Sequence, residues 1–465
     1  MNSTFLKTLR GAGEVQFENG YPTRESLPRL HDEQDFERAV QLYQWALPLV
    51  SYASMQNTLR KLGQSDNNNP IWEEYLTADT VVFTGNNTTI YGAGFLNVKD
   101  TPIVVDLGPL MLGAFNDIWQ KNIGDGGLTG PDKGKGGKYL VLPPDYKCEV
   151  PEGYFPIRSD TVTVFWLFRG LSEFQGKKLD PVAILKAMRI YRLDEEDNPP
   201  ATSWINMAGM KIDLTPDLGY GFWEVLANSL QTLNVRPEDR VFVGWLATLG
   251  IEKGKPFAPD ERMKKILTQS AEMGRTMAMT ATFDSRYPEA ILYPGTQWRR
   301  VFPGPNVNFE YPDYIDIDGR LSYTYSAIFT QAAMDSHTPD FGQSYALSSR
   351  DSQGDLLVGQ STYRLHLAAN VPASTFWSVT VYNLADRSMI ANDQKKPALD
   401  SGQKLRVNPD GSTDLYFGPK VPEGFESNWV QTDPGKAWWV WFRWYGPTEP
   451  FFDQSWKLTD FEKVN

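Results

Sequence analysis

Only three histidines, His31, His337 and His366, occur in 465 residues. Histidine is the side chain whose ordinary pKa suits proton transfer near neutrality. His366 is the one set in a clear strand pattern. From Thr362 to Ala368 the chain alternates, with Tyr363, Leu365 and Leu367 on one side and Thr362, Arg364 and His366 on the other. The connection AANVP turns at Pro372, and Phe376 to Tyr382 alternates again, with Trp377, Val379 and Val381 on its apolar side. If the two strands pair as a hairpin, then Arg364, His366, Ser378, Thr380 and Tyr382 share one polar face. There His366 would act as general acid or base, Tyr382 would protonate a leaving oxygen, and Arg364 would fork onto a carboxylate or phosphate. Asp351, in the turn leading in, would orient the histidine or act as the base itself. The competing reading is structural: a hydrogen-bonded histidine, with Arg364 and Tyr382 in interstrand or interdomain contacts.

Spacing disfavours several other chemistries. No Gly-x-Ser-x-Gly elbow occurs, which argues against a serine hydrolase of the α/β type. No pair of histidines has a ligand spacing such as His-x-x-x-His, and no motif indicates a metal or other cofactor. The acidic run IDIDG, residues 315–319, fails as a calcium loop because Tyr314 and Tyr325 occupy its first and twelfth positions. Residues 115–146 are rich in glycine, with seven glycines between 124 and 137 and lysines at 133, 135 and 138. Such a stretch could cradle an anion on its backbone amides, or form a long structured loop packed over a neighbouring domain. It lacks Gly-x4-Gly-Lys-Ser/Thr spacing and leads into a strand, so it is not a phosphate loop. Asp117 and Asp125 are the carboxylates in it that could serve glycoside chemistry. With Lys138 they join Trp377, Trp429, Trp441 and Arg443 as candidate substrate-binding residues. The strand side bearing Trp439, Trp441, Arg443 and Tyr445 could be a sugar platform. Interdomain packing is the simpler expectation, because three large aromatics in solvent would promote aggregation.

The elements that must position these residues follow from periodicity. Residues 1–30, punctuated by Gly11, Gly13, Gly20 and Pro22, read as an extended arm. Phe36, Val40, Tyr43, Leu47 and Val50 then mark one face of a helix, which Pro48 is expected to kink. Between Asp79 and Arg169 the pattern is of short strands (TVVF, TTIYGAGFLNV, PIVVDLGP, KYLVLPP, TVTVFWLFR) separated by turn residues. Helical spacing returns with PVAILKAMRIYRL, with Tyr220, Trp223, Leu226 and Leu230, and with Met263, Ile266, Leu267, Ser270 and Met277. Pro259 is expected at the first position of this last helix, with Asp260 and Glu261 in its first turn. From Asp316 onward strands are expected at 321–328, 362–368, 376–382, 412–417 and 437–445. The last of these, AWWVWFRWY, is apolar on both sides, as a strand covered on both sheet faces should be.

Composition bounds the rest. The chain is long enough for several cores, and its single Cys148, expected to be structural, rules out an intrachain disulfide. A net charge of −12 argues against non-specific nucleic-acid binding. No run approaches 18 apolar residues, so no membrane span is expected, and MNSTFLKTLRG lacks the apolar core of a secretory signal. The high aromatic share, with 38 Gly and 32 Pro, points to a turn-rich, mainly β protein with a helical connector, an α+β class. The organisation expected is an arm and helix to residue 60, a first β domain over 61–180, a helical connector over 181–310 and a second β domain over 311–465.

Several blocks together carry a resemblance. DIWQKNIGDGGLTGPDKGKGGKYLVLPPDY and GYFPIRSDTVTVFWLFRG, then LGIEKGKPFAPDERM, then DSQGDLLVGQSTYRLHLAANVPASTFWSVTVYN, NPDGSTDLYFGP, NWVQT and WFRWYGP occur in that order. The chain resembles bacterial, and occasionally viral or fungal, proteins that pair the domain-of-unknown-function families numbered 1254 and 1214, over roughly residues 35 to 460. The resemblance implies two β-sandwich or jelly-roll-like domains joined by helices, and assigns no catalytic residue. Many such proteins are exported, and the signal usual in them is not seen here, so localisation stays open, as does the oligomeric state. The functional expectation is a hydrolase, or after it a lyase, acting on a polar, carbohydrate-like substrate in a cleft between β domains. The alternative is a non-catalytic module that binds a carbohydrate or other small ligand, or is purely structural.

Overall fold

The computed structural model describes residues 15–174 and 176–464. Residues 1–14 of the expected arm lie outside that description. The remainder of the arm forms a small antiparallel pair, Phe17–Glu18 with Tyr21–Pro22, before the chain turns helical.

The first sandwich comprises two sheets. Six strands run in the order Ser203–Asn206, Asn68–Trp72, Ile90–Asn97, Thr163–Gly170, Met111–Asp117, Asn122–Gly127. Four face them in the order Tyr154–Arg158, Gly137–Leu142, Ile103–Leu107, Arg189–Arg192. Alternation sorts the side chains of Thr163–Gly170. Val164, Trp166 and Phe168 pack into the sandwich with Val105 and Val141, while Phe165 and Leu167 face away into a second core. Two strands of this sandwich, Arg189–Arg192 and Ser203–Asn206, come from beyond residue 180.

The second sandwich sets a sheet in the order Arg299–Arg300, Gln343–Ser348, Trp438–Pro447, Ala373–Asn383, Ala398–Asp400 over one in the order Trp429–Gln431, Thr413–Gly418, Tyr363–Leu367, Glu462–Lys463. Every residue of Trp438–Pro447 is buried, as its two-sided apolarity requires. Trp438, Val440, Phe442 and Trp444 fill this sandwich, whereas Trp439 and Trp441 point out of it into the core shared with the helices and the first sandwich.

That shared core is organised by one 35-residue helix, Leu27–Lys61, buried almost throughout from Ala39 to Ala53. The helices Gly221–Thr232, Arg240–Thr248, Glu261–Phe283 and Ile317–Ser326 pack around it. It meets Glu261–Phe283 closely at Gly274, where a Cβ would stand 2.6 Å from the Tyr43 ring. Asp260 caps Glu261–Phe283 by accepting the Met263 N–H at 2.8 Å, so this helix starts two residues later than Pro259 suggests. Met277 of the expected buried face is exposed, and Gly274 and Ala278 fill that stripe instead. Among the described residues, no helix is long and apolar enough to cross a membrane.

Four further expectations are corrected. Tyr363–Leu367 and Ala373–Asn383 do not pair with each other but lie in opposite sheets. Their apolar sides meet across the sandwich core, so their polar sides point away from one another. Alternation identifies the shared core equally well in either arrangement. Residues 321–328 are mostly helical: Asp316 accepts the Gly319 N–H at 2.8 Å and caps Ile317–Ser326. The glycine-rich stretch is partly strand, Asn122–Gly127. Gly124 there lets Ile157 sit where a Cβ would be 2.4 Å from its Cδ1. The tip of the stretch offers no anion cradle. Asp132 accepts from the Gly136 N–H and the Tyr139 hydroxyl, and the N–H groups of Lys133 and Lys135 are taken up by turn carbonyls. Cys148 is exposed rather than structural.

Candidate ligand cavity between the two sandwiches

Because the expected hairpin is split, the four residues proposed to work together do not converge. His366 and Arg364 project from the outer face of the four-stranded sheet of the second sandwich, into an open hollow with Asn408, Asp410, Ser412 and Glu462. His366 Nδ1 stands 2.8 Å from Asp414 Oδ1, and Asn408 Nδ2 donates to Asp414 Oδ2 at 2.9 Å. Burial pushes the Asp414 carboxyl up, but the hydrogen bonds from Asn408 and His366 outweigh it and hold the group below its ordinary value. Arg364 is paired with Glu462. Asp351 is buried and closes a turn, accepting the N–H groups of Gln353 at 3.0 Å and Asp355 at 3.1 Å. Tyr382 is fully buried on the other side of the sandwich.

The substrate-contact candidates also disperse. Trp377 is stacked on Phe442 inside the second sandwich, and Trp429 donates its indole N–H to the Gly418 carbonyl. Asp117 is buried in an ion pair with Arg236, 3.6 Å away, and accepts the N–H groups of Trp119 and Lys121. Asp125 accepts from Asn122 Nδ2 and the Ala332 N–H, and Lys138 is paired with Glu196. Trp441 and Arg443, by contrast, line a cavity.

This cavity lies where the six-stranded sheet of the first sandwich faces the five-stranded sheet of the second. It holds ≈120 Å³, counted as the space open to the centre of a water molecule. Helix Leu27–Lys61 contributes Met55 and Leu59, the first sheet Trp72, Tyr91, Ala93, Phe165, Leu167 and Arg169, and the second Gln343, Tyr345, Trp441 and Arg443. Register explains the company. Tyr345 and Ser378 flank Arg443 on the adjacent strands, Leu347 and Thr380 flank Trp441, and Tyr91 flanks Arg169. The loop that follows the short strand Thr80–Val81 adds Val82, Phe83, Gly85 and Asn86 to the lining.

Polar groups collect at one end. Arg443, 2% exposed, donates from Nη1 to Thr380 Oγ1 at 2.8 Å and from Nη2 to the Tyr382 hydroxyl at 2.7 Å. Tyr382 in turn donates to the Gly85 carbonyl at 2.9 Å, tying the two sandwiches together. Its phenol is raised above the ordinary value, with burial outweighing Arg443, so it remains a donor. Arg169, 5% exposed, donates from Nη2 to Gln331 Oε1 at 3.2 Å, while its buried Nε–H has no partner. Asn86 Nδ2 donates to the hydroxyls of Tyr91 and Tyr445, and the Tyr345 hydroxyl donates to Gln343 Oε1. The other walls are aliphatic and aromatic. A concave, mostly apolar space with a few convergent polar groups is the usual form of a small-molecule site.

Arg169, Tyr345, Gln343 and Asn86 went unnoticed in the sequence. The signal for the first was present: FWLFRG and WVWFRWYG each set one arginine inside the most apolar strand of its domain. A charge in a strand covered on both faces requires a partner.

Family comparison matches residues 67–192 to "Protein of unknown function (DUF1254)" and residues 342–449 to "Protein of unknown function (DUF1214)". The fold is similar to the crystal structure of the VPA0106 protein from Vibrio parahaemolyticus, with a TM-score of 0.56 at 17% identity, over 93% of this chain and 100% of that one. An uncharacterized protein from Burkholderia cenocepacia aligns over 93% of this chain and 94% of its own, at 10% identity and a TM-score of 0.42. No curated protein matches.

Proposed function

Since this chain belongs with the proteins that join a DUF1254 domain to a DUF1214 domain, families without an assigned activity, we propose from its own site that it is a small-molecule-binding protein whose ligand occupies the cavity between the sandwiches. The observation that carries this reading is one space lined jointly by both sandwiches and the long helix, apolar on most sides and polar at one end. It also gives a reason for the two domains to occur in one chain, because neither lines the space alone. A thermal-shift screen of small amphipathic molecules tests it. Compounds that stabilise the protein should lose their effect in Ala93→Phe, which places a ring in the cavity wall, and retention of the effect would refute the location.

A second reading, hydrolysis of a polar, carbohydrate-like substrate, is favoured by one observation: His366 is oriented by Asp414 in an open hollow. In this reading His366 is the general base and Arg364 a substrate contact. A product-detecting screen should then find an activity that His366→Ala lowers at least about a hundredfold. An unchanged rate would remove the reading.

A further inference from the structure

We propose that the ligand of the interdomain cavity is an organic anion, a carboxylic acid of small size, whose carboxylate is held between Arg443 and Arg169. This rests on the cavity being the ligand site, and specifies the chemistry of what enters it.

The argument starts from charge. A guanidinium carries five N–H donors and stays protonated in proteins. Arg443 meets two hydroxyl acceptors and lies over the rings of Trp441, Tyr345 and Tyr382, Arg169 meets one amide oxygen, and the Nε–H of Arg169 is buried without a partner. Among the described residues neither arginine has a carboxylate within ion-pair distance. Buried Arg236 shows the usual remedy, being bonded through two nitrogens to Asp239, with Asp117 beyond it. Arg387, equally buried and likewise with no carboxylate in ion-pair distance among the described residues, is satisfied by the carbonyls of Tyr325 and Ala385 and the rings of Phe83 and Tyr325. Arg169 differs in keeping a buried N–H with no partner, and it shares one cavity wall with a second arginine. Leaving a buried charge without a counter-charge is strongly unfavourable. Two such charges on the wall of one cavity therefore mark the place of an anion.

Geometry gives the anion its position. Arg443 comes from the second sandwich and Arg169 from the first, and both line the cavity together with Tyr345, which flanks Arg443 on the adjacent strand. A carboxylate between them would accept charge-assisted hydrogen bonds from both guanidinium groups, stronger than bonds from neutral donors. The ligand body would lie against Met55, Leu59, Trp72, Leu76, Val82 and Leu214. A space of ≈120 Å³ on this measure takes roughly ten waters, and so a ligand of roughly ten non-hydrogen atoms. That is the size of a medium-chain or aryl-alkyl acid.

Calorimetric titration with octanoate and 3-phenylpropanoate, each compared with its alcohol, tests the inference on the full chain. The acids are expected to bind at least about tenfold more tightly than the alcohols. Arg443→Met and Arg169→Met should each abolish that preference while retaining alcohol binding, which also reports that the variant is folded. The two substitutions lie in different sandwiches, so one suffices if the other fails to fold. Equal binding of acid and alcohol, or a preference that survives both substitutions, overturns the anion assignment and leaves the cavity as an apolar ligand site. Binding of neither class overturns both.

Discussion

Asn116 is a buried polar group that joins three elements of the shared core. It is fully buried, and its Oδ1 accepts the Tyr52 hydroxyl at 2.8 Å and the Thr330 N–H at 2.9 Å, while its Nδ2 donates to the Thr330 carbonyl at 2.7 Å. One side chain thus ties the long helix, the six-stranded sheet and the segment that supplies Ile328 and Phe329 to the cavity wall. Asn116→Ala leaves two buried donors, the Tyr52 hydroxyl and the Thr330 N–H, without an acceptor. The Thr330 carbonyl keeps Asn122 Nδ2 at 3.2 Å. At about 1–3 kcal/mol for each orphaned group, the loss is about 2–6 kcal/mol. That is a large part of the roughly 5–15 kcal/mol by which a folded chain is ordinarily stable. Tyr52→Phe alone should cost about 1 kcal/mol, since Asn116 keeps Thr330. Added to Asn116→Ala it should cost nothing or restore stability, because it removes one of the orphans. The assay is urea unfolding of the four proteins of this cycle. A coupling of about 1 kcal/mol or more is expected. Additive effects within about 0.5 kcal/mol would refute the claim that this hydrogen-bonded unit joins the core.

Three other outcomes follow from single sites. Burial raises the Asp117 carboxyl to about 6, against Arg236 and the N–H groups of Lys121 and Trp119. The folded chain then keeps a proton that the unfolded chain, with an ordinary value of 3.8, has released. Its contribution is full below the unfolded value and falls by about 3 kcal/mol as pH rises from about 4 to about 6. Asp117→Asn should flatten that part of the profile of urea midpoint against pH, and an unchanged slope would contradict the assignment. Gly274→Ala should destabilise, because overpacking against Tyr43 at about 1–3 kcal/mol outweighs the roughly 1 kcal/mol of helix propensity gained. Gly244→Ala, in Arg240–Thr248 with open space around it, should instead stabilise by up to about 1 kcal/mol, and thermal denaturation of the pair distinguishes the two signs.

What could be read in advance was set by one-dimensional pattern. The helix face of Val40, Tyr43, Leu47 and Val50 and the two-sided burial of the tryptophan-rich strand are periodicities of the backbone itself, and they are present in the fold. The alternation of Tyr363, Leu365 and Leu367 was equally visible. It could not reveal whether the next strand lay beside it or across the core, and on that choice rested the convergence of His366 with Tyr382. Asn122–Gly127 was hidden because glycine carries little strand propensity, and its place is fixed by tertiary packing on Ile157. The cavity itself depends on residues far apart in sequence, Arg169 and Arg443 above all. The platform side of the tryptophan-rich strand marked Arg443 and Trp441, whereas for Arg169 the pointer was the anomaly of a charge in an apolar strand.

The most direct measurement is a crystal structure of the full chain grown with octanoate. The account predicts electron density for the acid in the cavity between the sandwiches, its carboxylate within hydrogen-bond distance of Arg443 and Arg169 and its chain against Met55 and Leu59. A cavity that holds ordered water alone, or the acid bound elsewhere, would contradict it.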